Sequence, residues 1–202
     1  MRPKLSGDVA RLVSPESEDS SSSDPTVRLE LAHATAAVVI EAGRADAKPT
    51  TAEFVRLADT VGLDTLAELW RDAAPDSLPG ALWSLYLLRT WCASHTSEVS
   101  RLYRAGRGLA PVEEVVAGVP AEAEPEAMRE VVDAVLAGVY DRELDVALDR
   151  AAALFRVVAA GREWFAADGL SGSVERDRAV RNREAAAALD RAARAWRAGT
   201  LS

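Results

Sequence analysis

Alanine fills 40 of the 202 positions, whereas isoleucine occurs once, at Ile40. Alanine is the strongest helix former. Apart from valine, the β-branched and aromatic residues that favour strands are scarce, so the chain is expected to be all-α. A hydrophobic fraction of 49% supports a real core, since a domain of this length buries roughly 70% of its unfolded surface. Twelve glycines and one cysteine, Cys92, exclude collagen-like and disulfide-framework chains. Start and stop signals lead to a single irregular multi-helix bundle of about seven to eight helices with a disordered N-terminal linker.

Three regions follow: an N-terminal arm (1–14), an acidic linker (15–26) and a helical domain (27–202). The linker is serine-rich, with no apolar side chain beyond proline. A first helix is expected from Asp24-Pro25 to Ala42, with Gly43 as its stop. Thr50-Thr51-Ala52-Glu53 is a capping-box pattern for a second helix that Gly62 ends. Asp64 opens a third, to about Ala73. Asp76 or Ser77, with Pro79 in the first turn, starts an apolar stretch reaching Tyr103. Gly106-Arg107-Gly108 ends it, with a kink allowed near Ser94–Ser97. Pro111 opens a short helix that breaks by Pro120, and 121–125 is a connector. Further helices are expected at about 125–139, 141–166 and 173–198.

The helix at 141–166 carries two apolar stripes. Leu144, Ala147, Leu148, Ala151, Phe155 and Val158 form one; Val146, Ala153, Val157 and Trp164 form the other. A helix apolar on two sides belongs between two layers. The stretch from Leu82 to Cys92 is apolar nearly all round, which marks a core helix.

The net charge of −8 conceals an uneven distribution. Residues 28–171 hold 14 basic and 23 acidic groups, while 172–202 hold seven arginines against four acids. An acidic total argues against general nucleic-acid binding. No apolar run reaches membrane-spanning length, and no signal core follows Met1-Arg2-Pro3-Lys4. With a single cysteine, these features lead to a cytoplasmic expectation.

Few constellations offer chemistry. Glu30 and His33 make a Glu-x-x-His step, which carboxylate-bridged di-metal bundles use twice. The other histidine lies in the reverse order, as His95 and Glu98. A metal- or small-molecule-binding bundle using Glu30, His33, His95 and Glu98 is therefore one alternative. On a continuous helical wheel His95 falls with Ala81, Leu88, Cys92, Val99 and Leu102, so it is expected to face other helices. Cys92 reads as a small inert hydrophobe. A nucleophile elbow and a phosphate loop are both missing. Leu57–Leu63 resembles the first helix and turn of a helix-turn-helix, but Asp64, Glu68 and Asp72 make the next helix too acidic for DNA.

The C-terminal helix has the most informative surface. Val174, Ala185, Leu189, Ala192 and Trp196 form its expected packing face. Arg176, Arg183, Arg191, Arg194 and Arg197 form a ridge opposite. Such a ridge suits an acidic partner, weak nucleic-acid contact, or this protein's own acidic body. By elimination the chain reads as a non-enzymatic interaction or regulatory module that binds another protein. The arm and the ridge are its expected contact surfaces. No cofactor or membrane is implied, and nucleic acid is the least favoured partner.

Overall fold

The computed structural model describes residues 24–45, 69–120, 123–140, 143–167 and 172–202. The N-terminal arm, most of the acidic linker, the capping-box helix at 50–62 and the helix-turn-helix segment lie outside the described residues. Among the described residues there is no strand, and the all-α multi-helix bundle stands. In chain order the helices are α1 (Pro25–Ala45), α2 (Leu78–Ser94), α3 (Thr96–Gly106), α4 (Pro111–Ala117), α5 (Pro125–Tyr140), α6 (Leu144–Ala167) and α7 (Gly172–Arg197). A 3₁₀ turn at Arg107–Leu109 joins α3 to α4.

Local chemistry explains most boundaries. The Asp24 carboxylate accepts the Thr26 amide at 2.8 Å, and Pro25 occupies the first turn. Pro25 and Thr26 thus belong to α1 and not to the linker. The helix also runs past Gly43 to Ala45, because one glycine costs only about 1 kcal/mol in a helix. Ser77 caps α2, accepting the Gly80 amide at 3.3 Å, with Pro79 in the first turn. Gly118, in the left-handed conformation at φ 67°, closes α4 before Pro120.

The expected kink is a full break. His95 departs from helical geometry (φ −130°, ψ 39°), closing α2 and preceding α3. Arg129 of α5 braces the break, donating to the Ala93 carbonyl at 3.1 Å and to the Thr96 hydroxyl at 3.2 Å. The apolar run from Leu82 is one-sided in part. Leu82, Leu85, Leu88 and Cys92 are buried, while Leu87 is exposed and Trp83 and Trp91 are half-buried.

The centre of the bundle is α6, which packs against α3, α4, α5 and α7. Its two-sided burial is confined to the middle. Ala151, Ala152, Ala153, Leu154, Val157 and Val158 are all buried there. At the ends only one side is covered, so Val146 and Trp164 of the second expected stripe are exposed. The α6 and α7 helices run antiparallel, as the cross-pairs Arg156–Asp190 and Glu163–Arg183 require. On α7 the small residues Ala179, Ala186, Ala192 and Ala193 are buried with Leu189, whereas Val174 is exposed. The expected packing face is therefore displaced from Val174 toward Ala179 and Ala186.

Two further ties close the fold. The buried Trp70 donates its indole N–H to the Thr35 hydroxyl at 3.0 Å, and that hydroxyl donates to carbonyls of its own helix α1. Near the other terminus, the Leu78 amide donates to the Ser202 carbonyl at 2.9 Å.

The helices α3 and α6 cross in close contact at Gly106 and Gly161. A Cβ on Gly106 would overlap the Val157 carbonyl, and one on Gly161 would overlap the Leu102 carbonyl. Both obstacles are backbone, so relief requires the helices to separate. Gly106→Ala and Gly161→Ala are each expected to destabilise by about 2 kcal/mol or more, lowering the melting temperature by roughly 4–8 °C. Gly108→Ala, whose Cβ would meet open space, should leave it within about 2 °C. Calorimetry of the three variants checks this.

Candidate functional site

The four residues of the metal alternative are not assembled. Glu30 is exposed and His33 half-buried, with its Nδ1 buried and unpartnered. His95 is exposed, contrary to its expected inward position. The reason is the break at His95 itself, which ends the continuous wheel that placed it beside Leu88 and Leu102. Glu98 pairs with Arg162 instead of a histidine. Among the described residues, no group of three or more His, Cys, Asp or Glu side chains is placed to hold a metal ion.

Cys92 is buried, and burial, aided by the nearby Asp133 charge, pushes its thiol up to about 12. Reactivity follows the thiolate fraction. Cys92 should therefore resist an aromatic disulfide reagent at pH 8 and react fully once the protein is unfolded in urea. Rapid labelling of the folded protein would contradict this placement.

The arginine ridge of α7 turns largely toward the body's own acids. Arg183 pairs with Glu163, and Arg191 reaches Asp76 at 2.7 Å. Arg197 bridges Asp145 and Asp149. Arg176 donates to the Ala166 carbonyl at 3.5 Å, and Arg194 is exposed. The hydrogen bond from Arg191 holds the Asp76 carboxyl below its usual value. These pairs are solvent-accessible, and such pairs contribute about 0–1 kcal/mol each. They account for three of the five ridge positions.

Sequence reasoning missed the most elaborate polar cluster, which centres on Arg162. Its side chain is 6% exposed. It pairs with Glu175 of α7 at 2.7 Å and with Glu98 of α3 at 3.4 Å. Its guanidinium carbon also lies 5.4 Å from the centre of the Trp91 ring, within cation–π range. Burial works to raise the Glu175 carboxyl, but hydrogen bonds from Arg162 and Arg178 outweigh it, leaving the group below its ordinary value. The signal was present: one more step of the Leu144–Val158 stripe, four residues on, reaches Arg162.

Beside this cluster lies a groove of about 290 Å³. Leu87, Leu88 and Trp91 of α2, Phe155 and Arg162 of α6, and Asn182 of α7 line it. Two nitrogen atoms of these lining residues, Arg162 Nε and Asn182 Nδ2, are buried without a hydrogen-bond partner. A second surface feature is an outward apolar stripe on the segment from the 3₁₀ turn through α4. Leu109, Val112, Val115 and Val116 are all exposed, Val112 by 70% and Val115 by 80%.

In comparisons with known proteins, the chain matches no family model and shows no significant similarity to a curated protein or to a solved structure.

The Glu175 shift carries a pH consequence. A carboxyl whose folded pKa lies below its unfolded value contributes stability above the unfolded pKa, about 4.3 for Glu. That contribution is lost as pH falls through the folded value. Glu175→Gln is therefore expected to be less stable than wild type at pH 7, with the gap narrowing by pH 3. Urea unfolding at both values measures the change.

Proposed function

We propose that the protein is a non-enzymatic interaction module whose contact surface is the stripe of Leu109, Val112, Val115 and Val116. The carrying observation is the exposure of these four residues together over the 3₁₀ turn and the short helix α4 that follows it. Spacings of three and four residues place Val112, Val115 and Val116 along a single face of α4, and Leu109 precedes them on the 3₁₀ turn. A contiguous exposed apolar patch is a recurrent mark of a protein-binding surface.

The stripe is held in place from behind. Ala117 is buried, the Tyr103 hydroxyl reaches the Glu114 carbonyl at 3.5 Å, and Arg150 donates to the Ala117 carbonyl at 3.4 Å. A helix fixed before it binds loses less conformational freedom on association. Glu113 and Glu114 sit between the valines, and the body as a whole is acidic. The matching partner is a protein segment with apolar side chains rimmed by lysine or arginine.

This reading moves the contact surface away from the arginine ridge, where body acids already occupy three positions. The same pairing weakens the case for nucleic acid, since a ridge committed to intramolecular carboxylates has less charge to offer phosphates.

A photo-reactive amino acid at Val115, compared with one at Arg178 on α7, identifies the partner by cross-linking in native cells. The purified partner is then titrated against wild type and a Val112→Lys/Val115→Lys variant. The expected result is at least tenfold weaker binding by the variant at an unchanged melting temperature. Equal affinity, or cross-linking at Arg178 alone, would overturn the proposal.

A further inference from the structure

We infer that the groove between α2, α6 and α7 is a binding site for a small aromatic or apolar molecule bearing an uncharged carbonyl group. This goes beyond the proposed protein contact and involves different helices.

Three observations converge on that ligand class. The walls are apolar and aromatic: Leu87, Leu88, Trp91 and Phe155. Its volume, about 290 Å³, lies near the lower end for small-molecule sites, which suits a single-ring compound. The unmet polar demand is one-sided. Arg162 Nε and Asn182 Nδ2 are both hydrogen-bond donors, and neither has an acceptor. Buried polar groups are nearly always paired, so two orphaned donors in one groove call for an acceptor from outside the chain. Ser84, which also lines the groove, already donates to the Gly80 carbonyl at 2.9 Å.

The charge of that acceptor follows from the surroundings of Arg162. Its guanidinium already faces two carboxylates, Glu98 and Glu175, of which Glu175 is shared with Arg178. A ligand carboxylate would be a third anion around that one buried cation, whereas a ketone or amide oxygen accepts the same N–H bonds with no added charge. Both donor atoms are covered by their neighbours. Leu87, which lines the groove, is 46% exposed, so its side chain has solvent space into which it can turn as the ring enters.

Asn182 also supplies a direct readout. It is the chain's sole asparagine, and there is no glutamine. Its side-chain NH₂ pair is therefore the one carboxamide signal in an amide correlation spectrum. The full-length protein is titrated in one co-solvent with butyrophenone, with butylbenzene, which lacks the carbonyl, and with 4-phenylbutyrate, which carries a carboxylate.

Butyrophenone is expected to shift the Asn182 NH₂ signals saturably and to bind at least fivefold tighter than either comparator. Asn182→Leu, checked for retained fold by circular dichroism, should reduce butyrophenone to the level of butylbenzene. Three results would each overturn the assignment: no movement of the Asn182 signals at millimolar butyrophenone, equal affinity for butylbenzene, or tighter binding of 4-phenylbutyrate. The wild-type titration stands on its own if the variant does not fold.

Discussion

The crossing of α3 over α6 at Gly106 and Gly161 governs the arrangement of the other helices. There the two backbones approach so closely that a single methyl group on either glycine would overlap a carbonyl of the facing helix. Close approach fixes where α3 ends and the 3₁₀ turn begins, and with them the seat of α4 on α6. It also sets the height at which Glu98, in the first turn of α3, meets Arg162, the residue after Gly161. The glycine contact and the buried ion cluster are adjacent consequences of one crossing.

The uneven charge of the chain has two distinct structural roles. On the surface, Arg183, Arg191 and Arg197 strap α7 to acids from α6 and from the turn before α2. Such exposed pairs help orient a helix more than they stabilise it. Arg162 is different. Buried among Glu98, Glu175 and the Trp91 ring, it joins α2, α3, α6 and α7 in one cluster. Removing one partner from a buried pair leaves an uncompensated charge, which is much costlier than losing a surface strap. Its unpartnered Nε and the unpartnered Nδ2 of Asn182 belong to residues that line the groove, so the same cluster forms part of the groove wall.

Much of the helical framework was legible because proline, glycine and capping side chains act locally. Asp24-Pro25, Ser77 with Pro79, Pro111 and Pro120 mark ends that depend little on tertiary context. The placement of His95 was not legible. A wheel drawn from Ala81 to Leu102 assumes one helix, and the break braced by Arg129 from α5 is a long-range effect. The packing face of α7 was misread toward Val174, because alanines such as Ala179 and Ala186 carry a weak hydrophobic signal yet allow α6 to come close. The Arg162 cluster escaped because an arginine reads as solvated until the two carboxylates from distant segments are seen to converge on it. For the metal alternative, local Glu-x-x-His spacing said nothing about whether Glu30 and His33 would meet His95 and Glu98.

Native-state hydrogen exchange tests most directly whether the α3–α6 crossing is the structural centre. Exchange from the most stable part of a protein requires its global unfolding. The slowest amides are predicted to lie in α6 between Leu154 and Arg162 and in the facing turn of α3 from Leu102 to Gly106. Their opening free energy should equal that of global unfolding, while α4 and the ends of α1 exchange through smaller openings. Exchange from the middle of α6 as fast as from α1 or α4 would contradict this and remove the crossing from its central place.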